Sequence, residues 1–495
     1  MRKLLVIILL SITVIAVSCR KNKTFSNDTS RNIELSSDTL TFDTVFTCVG
    51  SATRILMVYN NTDDNLKISS IRLEQGSSSP YSVNVDGASG TTFQDVEIYA
   101  HDSLYVFVKV TIDPTDENNP FFVEDRLLFN TNGNQTVAHL TAYGQNAHYI
   151  IGNIGIFPDS EGHYTNYYTP VTDSVNKDVH WTAEKPYVIY NVALIDSEGT
   201  LTIEAGTRVY FHGGSGLWAW SEGQLIVDGT AENPVIFQGD RLEDFYADEP
   251  GQWDRIWLME AREGHGHSIN HAIIKNGFIG LQLQRMLKDN MAQADITNTI
   301  IENHTGMGIY TNCYTANVWN VLIDNCGYYC AALTGGGNYL FRHTTLANFW
   351  TNSARQTPAL YFDNYYTDPT DGNTYAMPFN CELANSIVYG NHSNEFDTDF
   401  YEQSSDTTYR FSHCLLGITR PHSDESMYEA CVFNEKPKFV NTEEFDYHLD
   451  TLSPAIGIGN PAISTGILRF DLDGVDRGDS PDAGAYQYYY SRIIL

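Results

Sequence analysis

Apolar and polar positions follow three regimes along the chain. Leu4 to Val17 is an almost unbroken apolar run behind Arg2 and Lys3. From Ile33 to about Gly144, short runs alternate: Leu40-Thr41-Phe42, Ile55 to Tyr59, Leu66-Lys67-Ile68, Tyr105 to Val108 and Val137 to Leu140. A period of two places every second side chain on one face, and turn-forming stretches such as Asn60 to Asn65 and Asp86-Gly87 separate the runs, so this region predicts short strands packed as a β-sandwich. After a Tyr-, Asn-, Pro- and Gly-rich stretch, expected as a linker that becomes a cap, the pattern repeats. Ala272-Ile273-Ile274-Lys275-Asn276, Thr299-Ile300-Ile301-Glu302-Asn303, Val321-Leu322-Ile323-Asp324-Asn325 and Thr344-Thr345-Leu346-Ala347-Asn348 share one pentad, and Ser386-Ile387-Val388 and Cys414-Leu415-Leu416 continue it without the Asn. The second apolar position falls at 274, 301, 323, 346, 388 and 416, at intervals of 27, 22, 23, 42 and 28. The long interval hides either an extra coil or a large insertion.

A period in the low twenties with short aliphatic strands resembles the right-handed parallel β-helix, in which each coil bends through three strands and stacks on the next about 4.8 Å away. Identical positions then form ladders inside the tube. Asn276, Asn303, Asn325 and Asn348 fit a structural ladder, because Asn tolerates the left-handed backbone of a sharp corner and stacked amides bond one another. Gly199 to Phe211 and Gly223 to Thr230 read as the first coils. Leu452 to Gly457, Asp471 to Gly474 and Asp482 to Tyr486 resemble the closing segment of exported β-helix proteins, expected to cover the exposed edges of the last coil. Phe42 to Phe46 with Val58-Tyr59-Asn60-Asn61 resembles the opening strands of hydin-like immunoglobulin-fold domains. The expected fold class is therefore all-β, an N-terminal Ig-like β-sandwich (33–145) followed, after the linker and cap (146–180), by a right-handed parallel β-helix (181–490).

The N-terminal run is too short to span a bilayer comfortably and suits a secretory signal. Small Ser18 directly before Cys19 resembles the bacterial lipobox, although Val17 stands where Ala or Gly is commoner. The resemblance implies a signal peptide (1–18), acylation of Cys19, a polar tether (19–32), and an anchored chain in the cell envelope, at the outer membrane. Asp and Glu outnumber Lys and Arg by 61 to 29, a formal charge of -32. Such a surface repels phosphate backbones, which excludes nucleic acid as a partner. Without Cys19 seven cysteines remain, an odd number at irregular spacing, which fits neither a complete disulfide framework nor a zinc site.

The β-helix resemblance brings in polysaccharide lyases and galacturonan hydrolases, whose chemistry needs paired carboxylates, or a base beside carboxylate-bound calcium. No such pair stands out along the strands, and Lys275, Arg285, Arg342 and Arg355 are the only candidate bases. Trp218, Trp220 and Trp253 near acidic residues, and Tyr365 and Tyr366 in the 361–377 excursion, are candidate glycan-binding rings. Asp471, Asp473 and Asp476 imitate the start of a calcium loop without its closing Glu, so calcium is a candidate cation there and no cofactor is required. His265-Gly266-His267 has metal-like spacing or belongs to a Gly-rich loop. The expected function is a lipid-anchored envelope protein presenting the β-helix to a polysaccharide or an envelope protein. The alternative is a polysaccharide lyase or glycoside hydrolase of the β-helix class.

Overall fold

The computed structural model describes residues 24–114, 121–158, 162–173, 175–196, 198–220, 222–286, 293–367, 372–401, 406–419 and 425–489. Cys19 and the apolar run before it lie outside these residues. The described residues form an all-β protein with a few 3-10 turns. The chain divides into two compact units, one ending at Asn146 and one beginning at Ala147.

In the first unit, alternation produces two five-stranded sheets. One is ordered Glu34–Leu35, Arg54–Tyr59, Ser103–Val110, Tyr81–Val85 and Ala88–Gly90, and the other Thr39–Phe46, Asn134–Gln145, Phe121–Thr131, Leu66–Leu73 and Thr92–Ile98. Along Ser103–Val110, Leu104, Val106, Val108 and Val110 are buried while the residues between them face outward. These positions join Leu56, Ile68, Phe129 and Leu140 in one apolar cluster drawn from both sheets. Between these strands pairing is antiparallel except where Asn134–Gln145 runs parallel to Thr39–Phe46.

In the second unit almost every pairing is parallel and joins a strand to its counterpart one circuit later. The six apolar positions counted above stack directly: Ile274 pairs with Ile301, Ile301 with Ile323, Ile323 with Leu346, Leu346 with Val388 and Val388 with Leu416. The 42-residue interval is therefore an insertion within one circuit, because Leu346 and Val388 are neighbours. A second inward column runs Ile203, Val227, Ile269, Ile296, Val318, Phe341, Leu383 and Phe411. Both columns enter one buried cluster, so each circuit covers the apolar edge of the one before it. Strands of the stretch 146–180, expected as linker and cap, enter the ladders at their start. His148–Ile151 pairs in parallel with Tyr187–Tyr190, and Asp178–Trp181 with Thr200–Glu204, so these residues already belong to the stacked ladders.

The Asn ladder has three members rather than four. Asn276, Asn303 and Asn325 all adopt positive φ (65°, 60° and 47°). Asn303 Nδ2 donates to Asn276 Oδ1 at 2.8 Å, and Asn325 Nδ2 donates to Asn303 Oδ1 at 2.7 Å. Asn348 leaves the ladder, its Oδ1 accepting the Cys326 N–H at 3.1 Å. A second amide ladder links Asn270, Asn298 and Asn320 at 2.9 and 2.8 Å. Asn303→Gly keeps the left-handed backbone but deletes the stacked bonds, so a loss of about 1 to 2 kcal/mol is expected in urea unfolding; Asn303→Ala should lose more, because it adds backbone strain.

The closing segment covers the side of the stack and reaches its last coil, where Val432 packs against Leu449, Ala455 and Ala483. Ala485 N donates to Thr345 Oγ1 at 2.9 Å, Gly484 N to Asn385 O at 2.8 Å and Arg477 Nη2 to Asn320 Oδ1 at 2.8 Å. Tyr447, Ala485 and Tyr486 cluster with Leu322 and Ala347, while Leu449, Ala455 and Ala483 cluster with Ile387 and Leu415. Those strand residues point away from the tube and are apolar, so they demand cover that the coils themselves do not supply.

Candidate functional site

On the opposite ladder the outward positions are polar and aromatic. In register they run Trp218, Trp257, Gln282, Tyr310, Ala332, Tyr361 and Asp397. Six steps of about 4.8 Å give a face roughly 29 Å long. Two residues further along the strands, Asp363 of Leu360–Asp363 lies directly beside Asp399 of Phe396–Asp399. In both strands the inward neighbours, Leu360, Phe362 and Phe396, anchor in the core, which fixes the acids on the outer side.

Around this pair the tyrosines gather. Tyr365 O–H donates to Asp399 Oδ2 at 3.0 Å, its ring 6.3 Å from that of Tyr401. Tyr361 lies 5.4 Å from Tyr329, ring to ring. Asp363 is buried, and Oδ1 accepts the Gly335 N–H at 2.7 Å. Burial lifts its pKa to about 6, against the pull of the Gly335 and Tyr365 amides, with the neighbouring Asp399 adding to the rise. Asp363 thus holds its proton far higher in pH than an exposed carboxyl, beside a second carboxyl that accepts a phenol hydrogen bond. A depression of about 390 Å³, which neither acid lines, is formed by Arg285, Cys313, Asn338, Met377, Asn380 and Asp406, among others. Asn380 Nδ2 donates to Asn338 Oδ1 at 2.7 Å, and Thr408 Oγ1 to Asn380 Oδ1 at 2.8 Å, so polar groups line its wall in register.

The aromatic residues singled out in the sequence divide. Tyr365 belongs to the acidic cluster. Tyr366 is exposed on the hairpin Tyr365–Thr367 and Thr374–Ala376, facing Tyr375 across it. Trp218 lies on the same outward column but is only 7% exposed, covered edge-on by Trp257 at 4.9 Å, with Phe157 at 6.5 Å. Half-buried Trp220 also packs near Phe157. Trp253 is no platform for a sugar: it is 1% exposed, stacks on Phe211 at 4.3 Å and donates Nε1–H to Lys275 O at 2.8 Å.

The three aspartates of the calcium-loop pattern have partners within the chain. Asp471 Oδ1 accepts the Asp473 and Val475 N–H groups at 2.9 and 2.8 Å, and Oδ2 accepts the Gln487 N–H at 2.8 Å. Asp473 pairs with His448 Nε2 at 3.0 Å and Asp476 with Arg469 at 2.7 Å. These carboxylates cap turns of the closing segment. Among the described residues no group of three or more His, Cys, Asp or Glu is arranged to hold a metal ion. His267 bridges coils instead: Nδ1 accepts the Leu225 N–H, Nε2 donates to Met259 O at 2.7 Å, and burial holds its pKa down at about 4.

The candidate bases are also accounted for. Arg355 is buried against Glu395, Lys275 lies 3.8 Å from Asp248 and 4.0 Å from Glu302, and Arg342 lies 3.7 Å from Glu382. Arg285 alone of the four lines the 390 Å³ depression. Asp363 and Asp399 escaped the sequence reading because the repeat was tracked on one ladder, whereas they lie on another. Their signal was the pair Tyr361-Phe362-Asp363 and Asp397-Thr398-Asp399, each following an inward apolar residue.

No protein-family model matches the chain, and no curated protein matches it. Solved structures give partial likenesses. A PapD-like domain of human CEP192 is 15% identical, covering 26% of this chain and 92% of that one at a TM-score of 0.16. A family 123 glycoside hydrolase from Clostridium perfringens is 7% identical, covering 24% of this chain and 30% of that one at a TM-score of 0.17. The E. coli chaperone DraB is 12% identical, covering 23% of this chain and 54% of that one at a TM-score of 0.17. At such scores none of them bears on what the chain does.

Proposed function

We propose that this protein is a lipid-anchored envelope protein that binds glycan on the outer face around Asp363 and Asp399. In this reading the first unit is an Ig-like sandwich acting as spacer, and the second is a parallel β-helix, right-handed as parallel crossovers almost always are. The observation that carries the binding reading is the cluster of Tyr329, Tyr361, Tyr365 and Tyr401 around two adjacent carboxyl groups. Rings stack on the apolar faces of sugars while carboxylates accept hydrogen bonds from their hydroxyls. Acylation of Cys19 supplies the anchor, which needs more than one acyl chain to hold firmly.

A second reading, hydrolysis at the same face, is favoured by one observation. Asp363 keeps its proton up to about pH 6 while Asp399 stands beside it in the next coil, the division of labour that a general acid and its partner carboxylate require.

Residues 20–495, purified and applied to a glycan array, should retain a glycan, and Tyr365→Phe with Asp399→Asn should weaken that binding at least about tenfold. Reducing-sugar release by the wild type, abolished in Asp399→Asn, would replace binding by hydrolysis. Retention unchanged in the variant would remove this face as the site. Cys19→Ala in the full chain should move the protein from the membrane to the soluble fraction; a variant that stays on the membrane would refute the anchor.

A further inference from the structure

All the described cysteines are free thiols, and two of them meet at the end of the stack. His413 and Ala430 both take left-handed corners, at φ 55° and 50°. The residue after each is a cysteine, and Val432 N–H donates to Cys414 O at 2.8 Å. The next residues pair in parallel, Leu415 with Val432 and Leu416 with Phe433. Cys414 and Cys431 therefore occupy one register position in consecutive coils, about 4.8 Å apart along the stack, within the Cα separation that a disulfide spans. Both side chains enter the same inner cluster, Cys414 fully buried and Cys431 packed against it.

Their place in the stack gives the pair a purpose. Tyr428–Glu429 and Val432–Phe433 end their two ladders, so this coil has a paired neighbour on one side only. In a stacked architecture, terminal repeats open first because they make one interface instead of two. Cys431 is only half-buried, which leaves it accessible to a reagent, whereas Cys414 is sealed.

We propose that Cys414 and Cys431 are a redox pair that closes, on exposure to a disulfide oxidant, into a bond stapling the terminal coil to the coil before it. The Cys431 thiolate attacks one sulfur of the oxidant, whose disulfide breaks and releases one thiolate. Cys414 then gives up its proton and attacks the Cys431 sulfur, forming the new bond and expelling the second oxidant thiolate. Two electrons and two protons leave the pair, and the oxidant departs as two thiols. The order follows from the surroundings: the hydrogen bond with Cys414 lowers the Cys431 thiol, while burial raises that of Cys414. The chemistry belongs to the folded chain and does not depend on the glycan reading or on the anchor.

Oxidised glutathione is the probe, with the purified chain starting fully reduced. After treatment, alkylation and digestion, the peptides holding Cys414 and Cys431 should appear joined and lighter by two hydrogens than their reduced sum. Proteolytic nicking near residues 425–433 should slow roughly tenfold and recover on reduction. Cys48→Ser, which removes the exposed cysteine, should leave the cross-link in place, and Cys431→Ser should abolish it and the protection together. Cys414 and Cys431 both remaining alkylatable, Cys431 stopping as a stable glutathione adduct, or Cys431 pairing with Cys48 or a second chain would each overturn the proposal.

Discussion

Glu395→Ala is expected to destabilise the second unit by about 3 to 5 kcal/mol, read as a fall in urea midpoint and earlier hydrogen exchange around residues 348–360. Arg355 and Glu395 are 1% and 0% exposed at their side chains, and the guanidinium meets both carboxylate oxygens at 2.6 and 2.9 Å. Arg355 also donates to Asn348 O at 3.0 Å and Asn391 Oδ1 at 2.7 Å. Glu395 accepts the Ala359 and His392 N–H groups at 2.8 and 2.7 Å. The pair ties the inserted loop between Asn348 and Leu360 to the coil above it. Removing the acid strands a buried cation and two amide donors together, which is why the loss far exceeds that of a surface pair. A double variant, Arg355→Met with Glu395→Leu, should recover part of the loss, because no charge is left uncompensated, but not all, since the Ala359 and His392 amides stay unpaired. Equal losses in the single and double variants would show that packing, not charge, holds the loop.

Asp363→Asn is expected to remove a pH dependence worth about 2 to 3 kcal/mol. The folded pKa of Asp363, about 6, is raised above the value near 3.9 of an unfolded aspartate, so the folded chain binds the proton more tightly. The stabilising contribution is fully present below about pH 4 and is lost as pH rises through about 6. The asparagine Oδ1 can still accept the Gly335 N–H, and no charge forms. Urea midpoints of the wild type should therefore fall relative to the variant between pH 4 and pH 7.5, leaving Asp363→Asn the more stable at neutral pH. Parallel profiles would show that Asp363 titrates as an ordinary exposed carboxyl. A residue that costs stability at working pH is a common mark of a site kept for another purpose.

Much of the second unit was legible because its coils are repetitive. One column of Ile, Leu and Val positions announced the period, and every neighbour inferred from it pairs in the structure. The Asn corners were visible for the same reason, since few side chains tolerate positive φ. Their limit at Asn348 was not visible, because it depends on which donor its Oδ1 meets, here the Cys326 N–H. The exposure of tryptophan was equally hidden. Trp253 and Trp218 sit in similar local sequence, yet one faces the tube and the other the outer column, where Trp257 covers it.

Composition and pattern alone determined that the chain is all-β, that its larger part repeats, and that its surface is acidic. Those properties are sums or periods over neighbouring residues, and they survive without knowledge of what meets what. Only the tertiary structure decided where the chemistry lies. Asp363 and Asp399 are separated by 36 positions and become neighbours through register. The closing segment finds the side of the stack because outward Leu322, Ile387 and Leu415 are apolar there. The three aspartates that imitate a calcium loop meet amides, His448 and Arg469, partners that no local motif displays. A coil buries its own apolar edge by local rule, whereas a site is made by the meeting of distant coils.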